Sequence, residues 1–149
     1  IISGLLFIKK IVELSEVTSG NKGIFEGAKT NDYDEQIEIP KDVMIYEING
    51  PLFFGTIRKF ELAMERTKNN YKVLILRMRN TLYLDAGGIR ALEQCKAACD
   101  RKGITIVLSG IHTQPFMLCE KTGMTEKIGR ENIFDNINAA LERAKELVN

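Results

Sequence analysis

The sequence predicts an α/β domain, built as a mostly parallel sheet of four to five strands with an antiparallel hairpin at one edge and four helices packed on it. Three observations carry this. Val73, Leu74, Ile75 and Leu76 form an apolar run without alternation, the pattern of a strand buried on both faces of a parallel sheet. Segments on either side of that run repeat their apolar residues at helical spacing, so strand and helix alternate along the chain. Such alternation implies right-handed crossovers between parallel strands.

The elements follow in order. Residues 1–17 open with Ile1, Ile2, Leu5, Leu6, Phe7 and Ile8 ahead of Lys9 and Lys10. Eight helical residues cover about 12 Å, whereas ~20 are needed to cross a hydrocarbon core, so this piece cannot span a membrane by itself. It reads either as the last turns of a spanning helix, with the lysines marking the cytoplasmic side, or as an amphipathic helix. The second reading rests on the spacing of Leu5, Ile8, Ile11, Val12 and Leu14. Residues 18–36 carry Gly20, Gly23 and Gly27 among polar side chains and read as a flexible linker. Residues 37–149 are the globular domain.

Within it, Ile37 and Ile39 flank Glu38 ahead of Pro40, which suggests a short edge strand, because proline cannot donate to a ladder. Val43 to Ile48 is a second strand, and the Pro40-Lys41-Asp42 turn between them predicts the antiparallel hairpin. Ile57, Phe60, Ala63, Met64 and Thr67 mark the first helix, followed by the central strand at Val73 to Leu76. Ile89, Leu92, Cys95, Ala98 and Cys99 mark the second helix, which ends near Gly103. Ile104 to Leu108 is the next buried strand. A short helix from Thr113 to Thr122 should be capped by Gly123. Asp135 is the expected N-cap of the last helix, whose buried stripe is Ile137, Ala140, Leu141, Ala144 and Leu147.

Composition narrows the function. With 21 basic against 20 acidic residues and a net charge of +1, the chain lacks the electrostatic footprint of a nucleic-acid binder. Cys95, Cys99 and Cys119 have neither zinc-site spacing nor the even count of a disulfide framework, and they read as buried apolar side chains in a reducing compartment. His112 is the sole histidine, expected at the surface, with no acidic cluster to complete a metal site. Cys119 and His112 are not read as a nucleophilic pair, because Phe116, Cys119 and Gly123 follow helical spacing. Neither a Walker loop nor a dinucleotide fingerprint is present.

Two motifs are more specific than this background. One is Gly50-Pro51-Leu52-Phe53-Phe54-Gly55, after a strand and before a helix. The other is Leu82-Tyr83-Leu84-Asp85-Ala86-Gly87-Gly88-Ile89-Arg90-Ala91-Leu92, bridging the central strand and the second helix. In this order and at this separation they resemble the STAS domain of bacterial SulP-type sulfate permeases, a fold shared with anti-sigma factor antagonists. The resemblance runs from Ile37 to the C-terminus, and residues 1–17 look like the end of the last membrane helix of such permeases. It implies a non-catalytic regulatory domain of an anion transporter, held at the cytoplasmic face of the cell membrane. Its implied partner is the transmembrane domain of the same transporter, with a cytosolic regulator or a second copy as further candidates.

Each motif residue also has a physical reading. Asp85 should cap the second helix by accepting the backbone N–H of Gly87 or Gly88. The same loop of Asp85, Ala86, Gly87, Gly88 and Arg90 is the candidate ligand- or partner-binding surface. A phosphate there, as in GTP or ATP, would compete with the aspartate for the same amides, so no cofactor is expected. In the resembling antagonists the residue two after the matching aspartate is a phosphorylated serine. Here it is Gly87, which has no hydroxyl, so that switch is chemically excluded at this position. Thr81 and Tyr83 are the nearby hydroxyls and are read first as packing residues. Phe53 and Phe54 are adjacent and cannot face the same way in an extended segment. One is expected in the core, and the other, with Pro51, Leu52 and Gly55, forms a candidate interface with the membrane domain. The rival readings are a free-standing antagonist-like switch protein and a nucleotide-binding signalling module.

Overall fold

A computed structural model describes residues 38–49, 52, 55, 57, 58, 61, 62 and 70–149. Residues 1–17 and 18–36, with Pro51, Phe53 and Phe54, lie outside the described residues, and so do the readings made on them. Four strands form one sheet in the order β1 (Val43–Asn49), β2 (Val73–Asn80), β3 (Thr105–Ser109) and β4 (Ile133–Phe134). Every pair among them is parallel. The helices are α1 (Ala86–Arg101), α2 (Thr113–Thr122), the short α3 (Met124–Ile128) and α4 (Ile137–Val148). Helical backbone also occurs at Ile57, Arg58, Glu61 and Leu62, within the stretch expected for the first helix, and already at Gly55 just ahead of it.

The unalternating run in β2 has the expected cause. Leu74 and Leu76 join Met44, Tyr46, Ile106 and Leu108 in a core under α1 and α2, together with Ile89, Leu92, Cys95, Cys99 and Cys119. Val73 and Ile75 point the other way and join Val43, Ile45 and Val107 against Ile137, Ala140, Leu141 and Ala144 of α4. Both faces are therefore apolar, and the side-chain period of two sorts one strand between two layers.

Three expectations need correction. The sheet is wholly parallel among the described residues: residues 38–40 have no strand, and Ile37 lies outside the description. The turn itself forms, with the Val43 N–H donating to the Pro40 carbonyl at 3.3 Å and Asp42 at φ 66°. Asp42 then serves β2 directly, its carbonyl accepting from the N–H of Lys72 at 2.8 Å. The N-cap of α4 is Asn136 instead of Asp135: its side chain accepts the Ala139 N–H at 2.9 Å. Helix α3 and strand β4 occupy the stretch between Gly123 and Asp135, where no element was expected. Gly123 does cap α2 in the left-handed region, at φ 83°, and at once starts α3.

Candidate functional site

Because the strands run parallel, the segments after β1, β2 and β3 all leave the sheet at its carboxyl end, where α/β folds gather their binding loops. Leu52 of the first motif and Gly88 of the second meet there. Asp85 has extended backbone, and its Oδ1 accepts the Gly88 N–H at 2.8 Å, satisfying one of the free amides at the head of α1. The Ile89 N–H donates to the Asp85 carbonyl at 3.0 Å, so the helix begins without a gap. Gly88 is the junction of the motifs. A β-carbon at that position would stand 2.8 Å from Leu84 Cδ2 and 3.2 Å from the Leu52 carbonyl oxygen. Only a glycine lets the head of α1 come this close to the segment after β1.

The other expected site residues separate by exposure. Asp85, Ala86 and Arg90 are exposed, Gly87 is half-buried and Gly88 is buried. Leu52 is buried and Gly55 half-buried in helical backbone, so Leu52 serves the core. Thr81 is buried, as a packing reading requires. Tyr83 is not: it is 65% exposed, beside Leu82 at 70%.

Three contributions escaped the sequence reading. Gln114, on the first turn of α2, reaches across to Leu84: its Oε1 accepts the Leu84 N–H at 2.7 Å and its Nε2 donates to the Leu84 carbonyl at 2.9 Å. The amide thereby substitutes for a neighbouring strand. His112 is exposed as expected, yet its Nε2 lies 2.6 Å from the Arg79 carbonyl, which can only accept, so Nε2 carries the proton there. Glu47, wholly buried on β1, accepts from Asn80 Nδ2 at 2.8 Å and lies 3.2 Å from Arg79 Nη2 and 3.8 Å from Arg77 Nη1. The only signal for Glu47 was a charge inside an apolar strand. For Gln114 there was none, because its partner is backbone 30 residues away.

A cavity of about 340 Å³ lies beside this surface, lined by Ile111, His112, Thr113, Phe116, Arg130, Ile133 and Asp135. It contains none of the expected loop residues. Its cation, Arg130, is already held by Glu120 at 2.6 Å and Glu126 at 2.7 Å, and Asp135 adds a further negative charge. The cavity therefore does not favour an anion. Among the described residues no three His, Cys, Asp or Glu side chains gather as metal ligands. The three cysteines are free and buried. No described helix is long and apolar enough to cross a membrane.

Against known proteins, the family described as STAS domain matches residues 35–140. The "Putative sulfate transporter YvdB" of Bacillus subtilis (strain 168) is 35% identical over 95 residues, which cover 63% of this chain and 18% of that protein. The chain thus spans under a fifth of that curated relative. Among solved structures, a sulfate transporter family protein from Wolinella succinogenes aligns with a TM-score of 0.70 and 37% identity, covering 76% of this chain and 93% of that one. A SulP transporter STAS domain from Vibrio cholerae shares the fold, with a TM-score of 0.69 at 24% identity, covering 83% and 96% of the two chains.

Proposed function

Because the chain belongs to the STAS domain family, we propose that it acts as the regulatory and interaction domain of a sulfate-type anion transporter, at the cytoplasmic face of the membrane and without catalysis of its own. One observation carries the reading. Leu52 of the first motif packs against Gly88 of the second, and Asp85 holds the Gly88 amide, so these described residues are fixed together at the carboxyl ends of the strands. Loops fixed this way suit recognition of a protein partner, since little ordering remains to be done on binding. The similarity to YvdB supports a transporter as the surrounding protein, with its membrane domain as the partner. Arg90, exposed on α1, and Asp85, exposed at its N-cap, supply the polar groups of this surface.

The rivals fit the same surface less well. A nucleotide phosphate would have to displace Asp85 from the Gly88 amide, and then sit beside its carboxylate. A phosphorylation switch at residue 87 has no oxygen to receive the phosphoryl group.

The test is uptake of labelled sulfate by cells expressing the full-length transporter, with and without residues 37–149, normalised to transporter in the membrane. The expected result is an altered uptake rate per molecule, reproduced in the same direction by substitutions on the loop of residues 82–90. Unchanged uptake per molecule in both experiments would remove the proposed role.

A further inference from the structure

The cavity of about 340 Å³ lies at the carboxyl ends of β3 and β4, where parallel sheets of this kind take their ligands. It shares no residue with the loop of residues 82–90. Ile111, Phe116 and Ile133 give it an apolar side, and groups of both signs complete it. Asp135 supplies the negative one. Because Asn136 caps α4, the Asp135 carboxylate has no hydrogen-bond or ion-pair partner among the described residues. The opposite sign comes from Arg130 and the first turn of α2. Arg130 spends four of its five N–H groups on Glu120 and Glu126, which leaves one Nη1 hydrogen to donate. His112 is the N-cap of α2, yet its side chain caps no amide, with Nε2 committed to the Arg79 carbonyl. The Thr113 N–H is therefore unpaired among the described residues, at the positive end of the helix.

We infer that this cavity binds a small zwitterion, an amino acid with an apolar side chain. Charge disfavours the simpler ligands. A lone anion would meet Asp135 and the two carboxylates that already neutralise Arg130. A lone cation would stand against the guanidinium and the head of α2. A molecule carrying both signs uses each. Its ammonium donates to Asp135, its carboxylate accepts from Arg130 Nη1 and the Thr113 N–H, and its side chain covers Phe116 and the two isoleucines. Size agrees. Cavities that take small molecules run from ~300 to ~1,000 Å³, so one near the lower end holds a single amino acid and no peptide. Both charged side chains are exposed, which keeps the affinity on the order of a millimolar. Binding here needs nothing from the transporter role proposed above, and it would make the domain responsive to the amino-acid level around it.

The experiment titrates leucine into the whole isotope-labelled chain and follows its backbone amide resonances by NMR. Thr113, Phe116 and Asp135 should shift along one saturating curve, while Gly88 and Ile89 stay still. Two further probes each lack one charge: isocaproate has no ammonium, and isoamylamine has no carboxylate. Each should bind roughly tenfold more weakly than leucine, the loss of one charge-assisted hydrogen bond. Asp135→Asn keeps the shape of the side chain and removes its charge. It should weaken leucine roughly tenfold and leave isocaproate no weaker than before, a split that loss of folding would not produce. The absence of a saturable shift at Thr113 and Asp135 up to tens of millimolar leucine overturns the inference. So does either single-charge probe binding as tightly as leucine, because the site would then read one sign alone.

Discussion

The carbonyl oxygen of Leu52 lies 3.2 Å from where a β-carbon on residue 88 would stand, so the segment after β1 and the head of α1 touch backbone to backbone at Gly88. The neighbouring glycine differs. A β-carbon at Gly87 would meet only Asp85 Oδ1, at 3.3 Å, a side-chain contact that eases with a shift of a few tenths of an ångström and leaves the cap bond to Gly88 in place.

Gly88→Ala is expected to destabilise the domain by about 1–3 kcal/mol, because the Leu52 carbonyl is backbone and cannot move alone. Alanine's better helix propensity, worth about 1 kcal/mol, offsets this only in part. Gly87→Ala should stay within about 0.5 kcal/mol of the parent. Urea denaturation of the two variants gives the comparison, and equal midpoints for both would show that the junction is not tight.

At the other end of the chain the two candidate caps can be told apart. Asn136→Ala removes the acceptor for the Ala139 N–H and should cost about 1 kcal/mol. Asp135→Ala should cost distinctly less, since Asp135 makes no cap contact. Thermal unfolding midpoints of the pair decide it; a larger drop for Asp135 would restore the sequence-based assignment.

What was legible follows from the range of the interactions. Asp85 reads as a cap because a capping bond closes within three residues, and the buried run in β2 reads as a central strand because period and composition are local. The shift from Asp135 to Asn136 is a one-residue error between two good capping types, which only backbone geometry resolves. Gln114 and Glu47 are different. Each acts on atoms about 30 residues away, Leu84 in one case and Arg79 and Asn80 in the other, and no local pattern encodes such a pairing. No strand forms over residues 38–40, the described part of the hairpin expected before β1, for a related reason. The turn at Pro40 was correctly seen, but Asp42 uses its carbonyl to start pairing with the start of β2.

Glu47 offers a test of that long-range polar contact. Its carboxylate is buried against Arg77, itself 3% exposed, and against Arg79 and Asn80. Glu47→Ala leaves buried positive charge without its carboxylate and should cost about 3–5 kcal/mol. Replacing Arg77 as well, with Glu47→Leu and Arg77→Met, should recover only part of that loss, because apolar groups of similar volume remove the desolvation penalty of those two charges while Arg79 and Asn80 still lose their acceptor. A double-mutant cycle in urea measures the coupling. Strictly additive losses would mean that the two charges do not sense each other.

The buried thiols tie the stability of the fold to alkaline pH. Burial pushes the Cys119 thiol up to about 11 from its ordinary 9.0. Cys95 is raised as well, first by its hydrogen bond with Cys99 and then by burial, and Tyr46 moves the same way through burial. A raised value in the folded state means that the folded protein holds its proton more tightly than the unfolded chain does. Linkage then gives a stability that is complete below about pH 9 and declines as pH rises toward 11, where unfolding releases protons. Cys119→Ala should flatten part of this decline, at the expense of a small cavity in the core under α2. The same burial makes the thiols slow nucleophiles, so native protein at pH 8 should resist iodoacetamide at all three cysteines and react fully once unfolded in urea. Rapid labelling of Cys119 in the native state would show that α2 opens far more readily than its packing implies.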